Sequence, residues 1–206
     1  MPLVLHHQHT DCQISLWNIS EEEMFFTEKI SYRSTASHPS RKTQQMAARF
    51  LLNLMHPEFP FDEVALNQSG KPILASKDVH FSLSHCNNHA AAIISNSKHV
   101  GIDVEQISPR VLKIEKKFLN PRELQQLSLL SEDDRIIFST LFWSIKESVF
   151  KWWGRGQVDF SDNIQIQPFK FDENGIAEVH FNKENLIKLQ VTFLKIDNIW
   201  LTYLIN

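Results

Sequence analysis

The sequence predicts an α+β fold whose sheets are mostly antiparallel. A long helical pattern ends near Gly154, and strand patterns then follow one another through the last fifty residues. This order of elements is typical of α+β proteins. The chain shows neither the alternating strand–helix rhythm of a parallel sheet nor a glycine-rich dinucleotide-binding fingerprint. Both observations argue against a doubly wound nucleotide-binding fold.

The composition is that of an ordinary globular protein. Hydrophobic residues make up 42% and charged residues 22% of the 206 residues, which is enough for a buried core. The net charge of -3 gives no sign of a nucleic-acid partner, and no signal peptide or membrane-spanning run is visible. The two cysteines, Cys12 and Cys86, do not make a disulfide framework. We therefore expect a cytoplasmic protein without a nucleic-acid or membrane partner.

The N-terminal segment is expected to be frayed before a first strand. Residues 1–12 carry His6, His7 and His9. A metal site is the alternative to a frayed terminus with incidental histidines. Residues 14–19 have a strand pattern. Ser20 and Glu23 then stand at the spacing of a capping box, which predicts a helix to about Ile30.

The next helix is predicted from Pro39 to Met55, because proline is tolerated at a first helical position. Its apolar stripe consists of Met46, Ala47, Phe50, Leu51 and Leu54. Arg41, Gln45 and Arg49 form a neighbouring polar row. Two interpretations of this row stay open: a solvated flank, or a clamp for phosphate, which suits the bidentate guanidinium group.

A turn and a strand supply the next polar groups. Residues 67–72 have turn composition, which places Lys71 on a constrained loop. The strand pattern of residues 79–85 alternates, with Val79, Phe81 and Leu83 on one face. The opposite face carries His80, Ser82 and Ser84, and His85 stands at the strand end. Residues 90–95 have the pattern of a buried partner strand.

The strand Gly101–Glu105 carries two carboxylates on one face. Asp103 and Glu105 are two residues apart, so they stand side by side, and leaving two like charges close and unpaired is unfavourable. An open, solvated face relieves this repulsion, and so does a divalent cation, for which oxygen ligands suit Mg²⁺. Gly101 on the same face lets a backbone or a ligand approach closely.

A long helix is predicted over residues 131–154, after a shorter one that starts at the capping box Asn120–Glu123. Glu147 and Lys151 lie four residues apart and therefore on one face of the long helix. A surface ion pair is the ordinary explanation of such a pair. Strands are predicted over residues 164–171, 176–181, 186–196 and 200–205, with turns at 172–175 and 182–185.

Five motifs stand in one order along the chain. They are the basic helix 41–49, Gly70-Lys71-Pro72, Phe81-Ser82-Leu83-Ser84-His85, Gly101-Ile102-Asp103-Val104-Glu105, and Trp143-Ser144-Ile145-Lys146-Glu147-Ser148 with Lys151. Together they resemble the 4′-phosphopantetheinyl transferase superfamily, and the length is similar to that of its Sfp-like members. The resemblance covers roughly residues 38–156. It implies a monomeric pseudo-dimer of two similar α+β halves, residues 1–102 and 103–206, with the active site between them.

The resemblance implies a Mg²⁺-dependent transfer of 4′-phosphopantetheine from coenzyme A to a serine of an acyl or peptidyl carrier protein, releasing adenosine 3′,5′-bisphosphate. The implied metal ligands, for Mg²⁺ or alternatively Mn²⁺, are Asp103, Glu105 and Glu147. The implied catalytic residues are Glu147, Lys151 and Asp103. The implied coenzyme A contacts are Arg41, Lys71, Ser84, His85 and Lys151. For the serine proton, Glu123 and metal-bound hydroxide are alternatives to Glu147, and Lys146 is expected to have a supporting role.

Two more expectations follow from the resemblance. Cys86 stands where members commonly carry serine, which puts one polar contact in doubt. Carrier proteins are acidic around their serine, and residues 110–118 have the apolar and basic composition of a docking surface, with a simple amphipathic helix as the alternative. Two other functions compete with the transferase: another Mg²⁺-dependent phosphohydrolase, and a noncatalytic coenzyme A-binding protein.

Overall fold

The computed structural model describes residues 2–75 and 79–206 and confirms the α+β class. Its strands are β1 (Leu3–Gln8), β2 (Cys12–Asn18), β3 (Val64–Leu66), β4 (Pro72–Leu74), β5 (His80–Cys86), β6 (His89–Ser95), β7 (Val100–Gln106), β8 (Ile164–Ile166), β9 (Asn174–Asn182), β10 (Leu186–Ile196) and β11 (Ile199–Ile205). Its helices are α1 (Glu23–Thr27), α2 (Pro39–Met55), α3 (Glu115–Phe118), α4 (Pro121–Ser128), α5 (Glu132–Trp153) and α6 (Phe160–Asn163), with 3₁₀ turns at Phe61–Glu63 and Pro109–Lys113. Across the described ranges, no helix has both the length and the apolar character needed to cross a membrane.

The N-terminal part is a four-stranded antiparallel sheet covered by α2. The strand order is β1-β2-β6-β5, and the short β3-β4 hairpin lies beside it. The buried face of α2 consists of Met46, Ala47, Ala48, Leu51, Leu52 and Met55, in one core with side chains of the sheet. The predicted bounds of this helix are confirmed. A stripe at every fourth residue drifts by about 40° per step around a helix of 3.6 residues per turn, so its last predicted member, Leu54, is 43% exposed.

The C-terminal part is a five-stranded antiparallel sheet packed against α5. The strand order is β7-β11-β10-β9-β8. The long helix is confirmed: it starts after the N-cap Ser131 and ends at Gly154, whose φ of 64° is a left-handed conformation that favours glycine. The capping box of Asn120 and Glu123 at the start of α4 is confirmed as well.

The two sheets meet where β5 lies beside β7. A shared core fills the junction: Ile14, Leu16, Ala91, Ile93, Val100, Ile102, Val104, Ile199 and Leu201. The hydroxyls of Ser82 and Ser84 accept hydrogen bonds from the backbone N–H groups of Ile102 and Val104, both at 3.2 Å. Serine side chains thus bridge the two edges. The predicted boundary between residues 102 and 103 falls within β7, and the division into two similar halves stays a prediction.

The structure corrects the prediction of a frayed N-terminus. The segment with His6, His7 and His9 forms β1, which pairs with β2. His6 Nδ1 lies 2.8 Å from Ser15 Oγ, a polar contact that joins the two strands. These histidines belong to no group of three metal-ligating side chains among the residues that the structure describes.

The capping box predicted at Ser20 and Glu23 is wrong. Helix α1 starts at Glu23 with Glu22 as its N-cap, and no side chain caps it. The carboxylate of Glu21 instead accepts a hydrogen bond from the Ser20 N–H at 3.1 Å. The short helix therefore starts later than the motif predicts.

The strand predicted over residues 164–171 is too long, since β8 ends at Ile166. Pro168 lacks the N–H that would continue the ladder. Phe169 and Phe171 instead stack on aromatic side chains of α5. The predicted turn at 172–175 is also displaced, because its last two residues already belong to β9.

Candidate active site

Gly101 brings the acidic strand β7 against the long helix α5. A Cβ at this position would lie 2.0 Å from the carbonyl oxygen of Ser148 and 2.8 Å from the backbone nitrogen of Trp152. Only glycine permits such an approach, and the close contact predicted at this position is confirmed. The predicted acids and the lysine lie around this contact: Asp103, Glu105, Glu147 and Lys151.

We call Asp103, Glu105 and Glu147 the acid cluster. Asp103 is buried at its centre, with 2% exposure. Its Oδ1 accepts hydrogen bonds from Lys151 Nζ at 2.7 Å and Ser84 Oγ at 2.9 Å. Its Oδ2 accepts one from Ser144 Oγ at 2.8 Å. Lys151 also donates to Ser84 Oγ at 2.8 Å. A buried carboxylate is costly unless it is paired and hydrogen-bonded, and these donors meet that requirement.

Glu105 and Glu147 complete the acid cluster and leave it short of positive charge. Burial, followed by repulsion from Asp103, raises the pKa of Glu105 to about 8 and that of Glu147 to about 7. The ammonium of Lys151 opposes both shifts without cancelling them. Trp143 Nε1 donates to Glu105 Oε1 at 3.1 Å and holds that carboxyl group at the edge of the cluster.

The donor set fits a divalent cation by its chemistry. Carboxylate oxygens are the ligands that Mg²⁺ prefers, and a cation would supply the charge that the cluster lacks. In the described part of the chain, no three histidine, cysteine, aspartate or glutamate side chains stand ready around one point, and Lys151 lies against Asp103 instead. The three predicted ligands lie near enough for the charge of Asp103 to act on Glu105 and Glu147, but they do not surround a common point in the described part of the chain, and their role as ligands stays a prediction.

Lys71 is held against the end of α5 by a confirmed turn. Asn67 Oδ1 accepts the N–H groups of Ser69 and Lys71, and Gly70 has a φ of 83°. Lys71 Nζ donates to the carbonyl oxygen of Lys151 at 2.5 Å. Burial lowers the pKa of Lys71 to about 8. The turn therefore places the ammonium of Lys71 against the backbone of Lys151, whose own ammonium contacts Asp103 in the acid cluster.

His85 lies among cations at the end of β5. Burial lowers its pKa, and so do the positive charges of Lys151, Arg41 and Arg49. The guanidinium of Arg49 lies 3.9 Å above the ring of Tyr32, which fixes it, whereas Arg41 is exposed. Several cations around an imidazole form a region that attracts phosphate groups.

Comparison with known families gives the same answer as the motifs. A family model described as the 4′-phosphopantetheinyl transferase superfamily matches residues 99–203, just over half of the chain. The chain belongs to the 4′-phosphopantetheinyl transferase superfamily.

Curated relatives carry the same name. A 4′-phosphopantetheinyl transferase of Bacillus subtilis is 34% identical over 92 residues, which are 44% of this chain and 41% of the relative. The 4′-phosphopantetheinyl transferase gsp of Aneurinibacillus migulanus is 32% identical over 117 residues, or 57% and 46% of the two chains. The 4′-phosphopantetheinyl transferase Sfp of Bacillus subtilis (strain 168) is 33% identical over 88 residues, or 42% and 39%. The chain thus spans less than half the length of each of these relatives.

The superfamily match covers only part of the predicted site. Inside it lie Asp103, Glu105, Glu147 and Lys151. Before it lie Arg41, Lys71, Ser84 and His85. The structure nevertheless connects the two groups, through the hydrogen bond from Ser84 to Asp103 and that from Lys71 to the Lys151 carbonyl.

Glu123 and Lys146 form a buried ion pair of their own. Lys146 Nζ donates to Glu123 Oε2 at 2.7 Å and to two backbone carbonyls, and the side chains are 0% and 1% exposed. Glu123 Oε1 accepts the N–H of Ile166 at 2.8 Å. Both carboxylate oxygens are therefore engaged in structural contacts. These contacts argue against the alternative in which Glu123 takes the serine proton, and they favour a structural form of the supporting role expected of Lys146.

Two cavities adjoin the acid cluster. One of about 490 Å³ is lined by Glu105 and Trp143 together with Cys86, Arg110 and Ile114, among others. Burial raises the pKa of the Cys86 thiol to about 12, so this side chain is a neutral thiol where a serine was expected. The other cavity, of about 200 Å³, is lined by residues of three segments: Ser69 to Pro72, Phe81 to Leu83, and Phe150, Lys151 and Gly154.

Sequence reasoning missed the polar contacts behind Asp103. Ser144 lies within the recognised Trp143–Ser148 motif, but a serine inside a helix usually bonds its own backbone, and nothing in the sequence identifies another acceptor. Thr202 Oγ1, on β11, lies 3.0 Å from Ser144 Oγ. A polar residue at a buried position of a strand was the only available signal.

Proposed function

We propose that the protein transfers 4′-phosphopantetheine from coenzyme A to a serine of an acyl or peptidyl carrier protein and releases adenosine 3′,5′-bisphosphate. The observation that carries this proposal is the acid cluster with Lys151 at the contact of β7 and α5. It lies within the segment that matches the superfamily, and it adjoins a cationic region suited to phosphate.

The bond changes explain why charge control matters. The serine hydroxyl oxygen forms a bond to the phosphorus next to the pantetheine arm, and the bond from that phosphorus to the bridging oxygen breaks. The electron pair leaves with adenosine bisphosphate, and the serine proton goes to a base. A Mg²⁺ or Mn²⁺ ion held by Asp103, Glu105 and Glu147 would neutralise the negative charge that develops on the diphosphate.

The side chains of this chain supply the remaining steps. Glu147 is the proposed base, since it is a half-buried carboxyl group at the cluster and, among the described residues, has no ion pair like the one that holds Glu123. Lys151 is the proposed stabiliser of the leaving group, because its ammonium is the cation inside the cluster. Asp103 is the anchor that holds this ammonium in place.

The proposed coenzyme A contacts divide between two places. Arg41 and His85 are proposed for phosphate groups at the cationic end of β5. Lys71 is proposed for the nucleotide part, because it lines the 200 Å³ cavity together with Lys151. Ser84 is buried, with its hydroxyl committed to Asp103, Lys151 and a backbone N–H. We therefore propose that Ser84 supports the site through these partners.

The proposed carrier surface lies around residues 110–118. Lys113, Lys116 and Lys117 are exposed there, which suits an acidic partner. Phe118 is buried in the protein core, so it is not available as one of the apolar contacts that the composition suggested, whereas Val111 is buried but lines the 490 Å³ cavity. The wall of the 490 Å³ cavity beside Glu105 offers Ile107 and Ile114 instead.

The test is the intact mass of an apo carrier protein after incubation with this protein and coenzyme A. The transferase predicts a phosphopantetheine-sized gain that requires Mg²⁺, disappears with EDTA, and disappears in Glu147→Gln. Glu178→Gln, a change at a partly exposed carboxyl group on β9, is the matched control and should leave the gain intact. Hydrolysis of coenzyme A without any gain on several carriers would favour the phosphohydrolase, and binding without turnover the noncatalytic protein.

A further inference from the structure

A pair of buried hydroxyls stands behind the central carboxylate of the acid cluster. Ser144 on α5 donates to Asp103 Oδ2 at 2.8 Å, and its Oγ lies 3.0 Å from Thr202 Oγ1 on β11. Thr202 Oγ1 in turn donates to the backbone carbonyl of Ser144 at 2.8 Å. Both hydroxyl residues are 0% exposed. The contacts join three elements, because Thr202 is also the strand partner of Asp103 in the β7–β11 pairing.

The protons available fix the direction of these bonds. An ionised carboxylate only accepts hydrogen bonds, and each hydroxyl has one proton to give. The Ser144 proton therefore goes to Asp103, and the Thr202 proton is left for Ser144, whose carbonyl oxygen and Oγ lie 2.8 Å and 3.0 Å from Thr202 Oγ1. Thr202 thereby holds the backbone of α5 at the residue that orients the carboxylate.

The two oxygens of Asp103 have different partners. Oδ1 receives the buried Ser84 and Lys151, which lines the 200 Å³ cavity. Among the contacts that the structure describes, Oδ2 receives Ser144 alone. Loss of the Ser144 hydroxyl would leave Oδ2 buried without a donor, so that the contacts of Oδ1 alone would set the orientation of the carboxylate.

Another serine of the same helix shows the ordinary alternative. Ser148 is also 0% exposed, but its hydroxyl donates to the carbonyl of Ile145 in its own helix at 2.8 Å. A serine that only satisfies itself inside a helix has this pattern. Ser144 departs from it by reaching a carboxylate on a different element.

We infer that Ser144, held in place by Thr202, is a positioning residue that fixes the orientation of the Asp103 carboxylate in the acid cluster. The inference rests on the proposed function only in taking this cluster as the site of metal binding and transfer. Groups that orient ligating carboxylates typically change metal affinity or activity by about 10- to 100-fold when removed.

The test compares direct binding of Mn²⁺ to Ser144→Ala and to Ser148→Ala. Binding is measured by electron paramagnetic resonance, with and without coenzyme A. Ser144→Ala is expected to weaken Mn²⁺ binding by about 10-fold or more and to lower kcat, with the KM for coenzyme A nearly unchanged. Ser144→Thr, which keeps a hydroxyl, is expected to restore binding. Ser148→Ala is expected to bind Mn²⁺ as the unchanged protein does.

Urea unfolding separates this role from a purely structural one. If both alanine variants lose similar stability but only Ser144→Ala loses Mn²⁺ affinity, the inference stands. Equal Mn²⁺ affinity in the two variants overturns it, and so does an unchanged protein that binds no Mn²⁺ in either condition. Should Ser144→Ala not fold, Thr202→Val decides: a loss of Mn²⁺ affinity supports the inference, and no loss overturns it.

The outcomes also separate the inference from the proposed function. Carrier proteins that gain no mass with the unchanged protein would remove the transferase proposal, while the difference between the two serine variants in Mn²⁺ binding would still stand. Conversely, a working transferase whose Ser144→Ala variant binds Mn²⁺ normally would keep the proposed function and reject the positioning role.

Discussion

Replacing Gly101 by alanine should damage both the fold and the site. The added Cβ would lie 2.0 Å from the Ser148 carbonyl oxygen, 2.8 Å from the Trp152 nitrogen and 2.9 Å from Trp152 Cβ. The first contact has to lengthen by about 1 Å even to reach 3.0 Å, below which real Cβ contacts essentially do not occur. The atoms that must move belong to a helix backbone, which cannot rotate away as a flexible side chain can. The strand and the helix must therefore separate.

Two magnitudes follow from this separation. Overpacking of a well-packed interior costs about 1–3 kcal/mol and occasionally more. A displacement of about 1 Å between groups that act together can lower a rate by about 10²-fold. Because Asp103 lies on the displaced strand and Lys151 on the displaced helix, the 2.7 Å contact between them is put under strain. We expect Gly101→Ala to lose both stability and activity.

The assay is urea unfolding together with the initial rate of carrier modification per folded molecule. Gly175→Ala is the control: its Cβ would meet the ring of Phe193 at 2.7 Å, within the C-terminal sheet and outside the acid cluster. That variant should lose stability and keep its rate. Unchanged stability and rate in Gly101→Ala would refute the packing explanation of the site.

Three further predictions concern single side chains. Lys146→Met should cost about 3–5 kcal/mol in urea unfolding, because it leaves the Glu123 carboxylate buried without its partner; a neutral result would contradict the structural role of the pair. Lys71 has its pKa lowered to about 8, so its ammonium is present below that pH and lost above it; coenzyme A affinity by calorimetry should fall as the pH rises from 7 to 9, and Lys71→Arg should make the fall smaller, since the guanidinium stays charged while Glu105 and Glu147 still lose their protons. The Cys86 thiol, with its pKa raised to about 12, should react slowly with iodoacetamide at pH 8 in the folded protein and quickly in urea; equal labelling rates by mass spectrometry would show that the thiol is not protected.

The fold was predictable wherever local chemistry decides the conformation. The proline at the start of α2, the capping box of Asn120 and Glu123, and the glycine that ends α5 each act within a few residues, and all three predictions were confirmed. Local signals also failed at the Ser20–Glu23 capping box, where the neighbouring Glu21 accepts the Ser20 N–H, and another failure comes from a tertiary contact. The N-terminal histidine segment looked frayed because its order depends on pairing with β2, which no local signal reveals.

The candidate site was predictable as a set of residues but not as a set of contacts. Alternation on β7 and spacing on α5 put Asp103 and Lys151 on faces that meet, and the structure brings them to 2.7 Å. The sequence did not separate Glu123 from Glu147, since both are glutamates on helices. Burial of Glu123 against Lys146 is what distinguishes them, and that pairing spans 23 positions of the chain.

The most direct test of the proposed transfer is its stoichiometry. Apo carrier protein, coenzyme A and Mg²⁺ would be incubated with the protein, and modified carrier and adenosine 3′,5′-bisphosphate would be quantified from the same reaction by mass spectrometry. The proposal predicts equal amounts of the two products, with the added group on a single serine and neither product formed by Glu147→Gln. Adenosine 3′,5′-bisphosphate formed without modified carrier, or equal yields from Glu147→Gln, would contradict it.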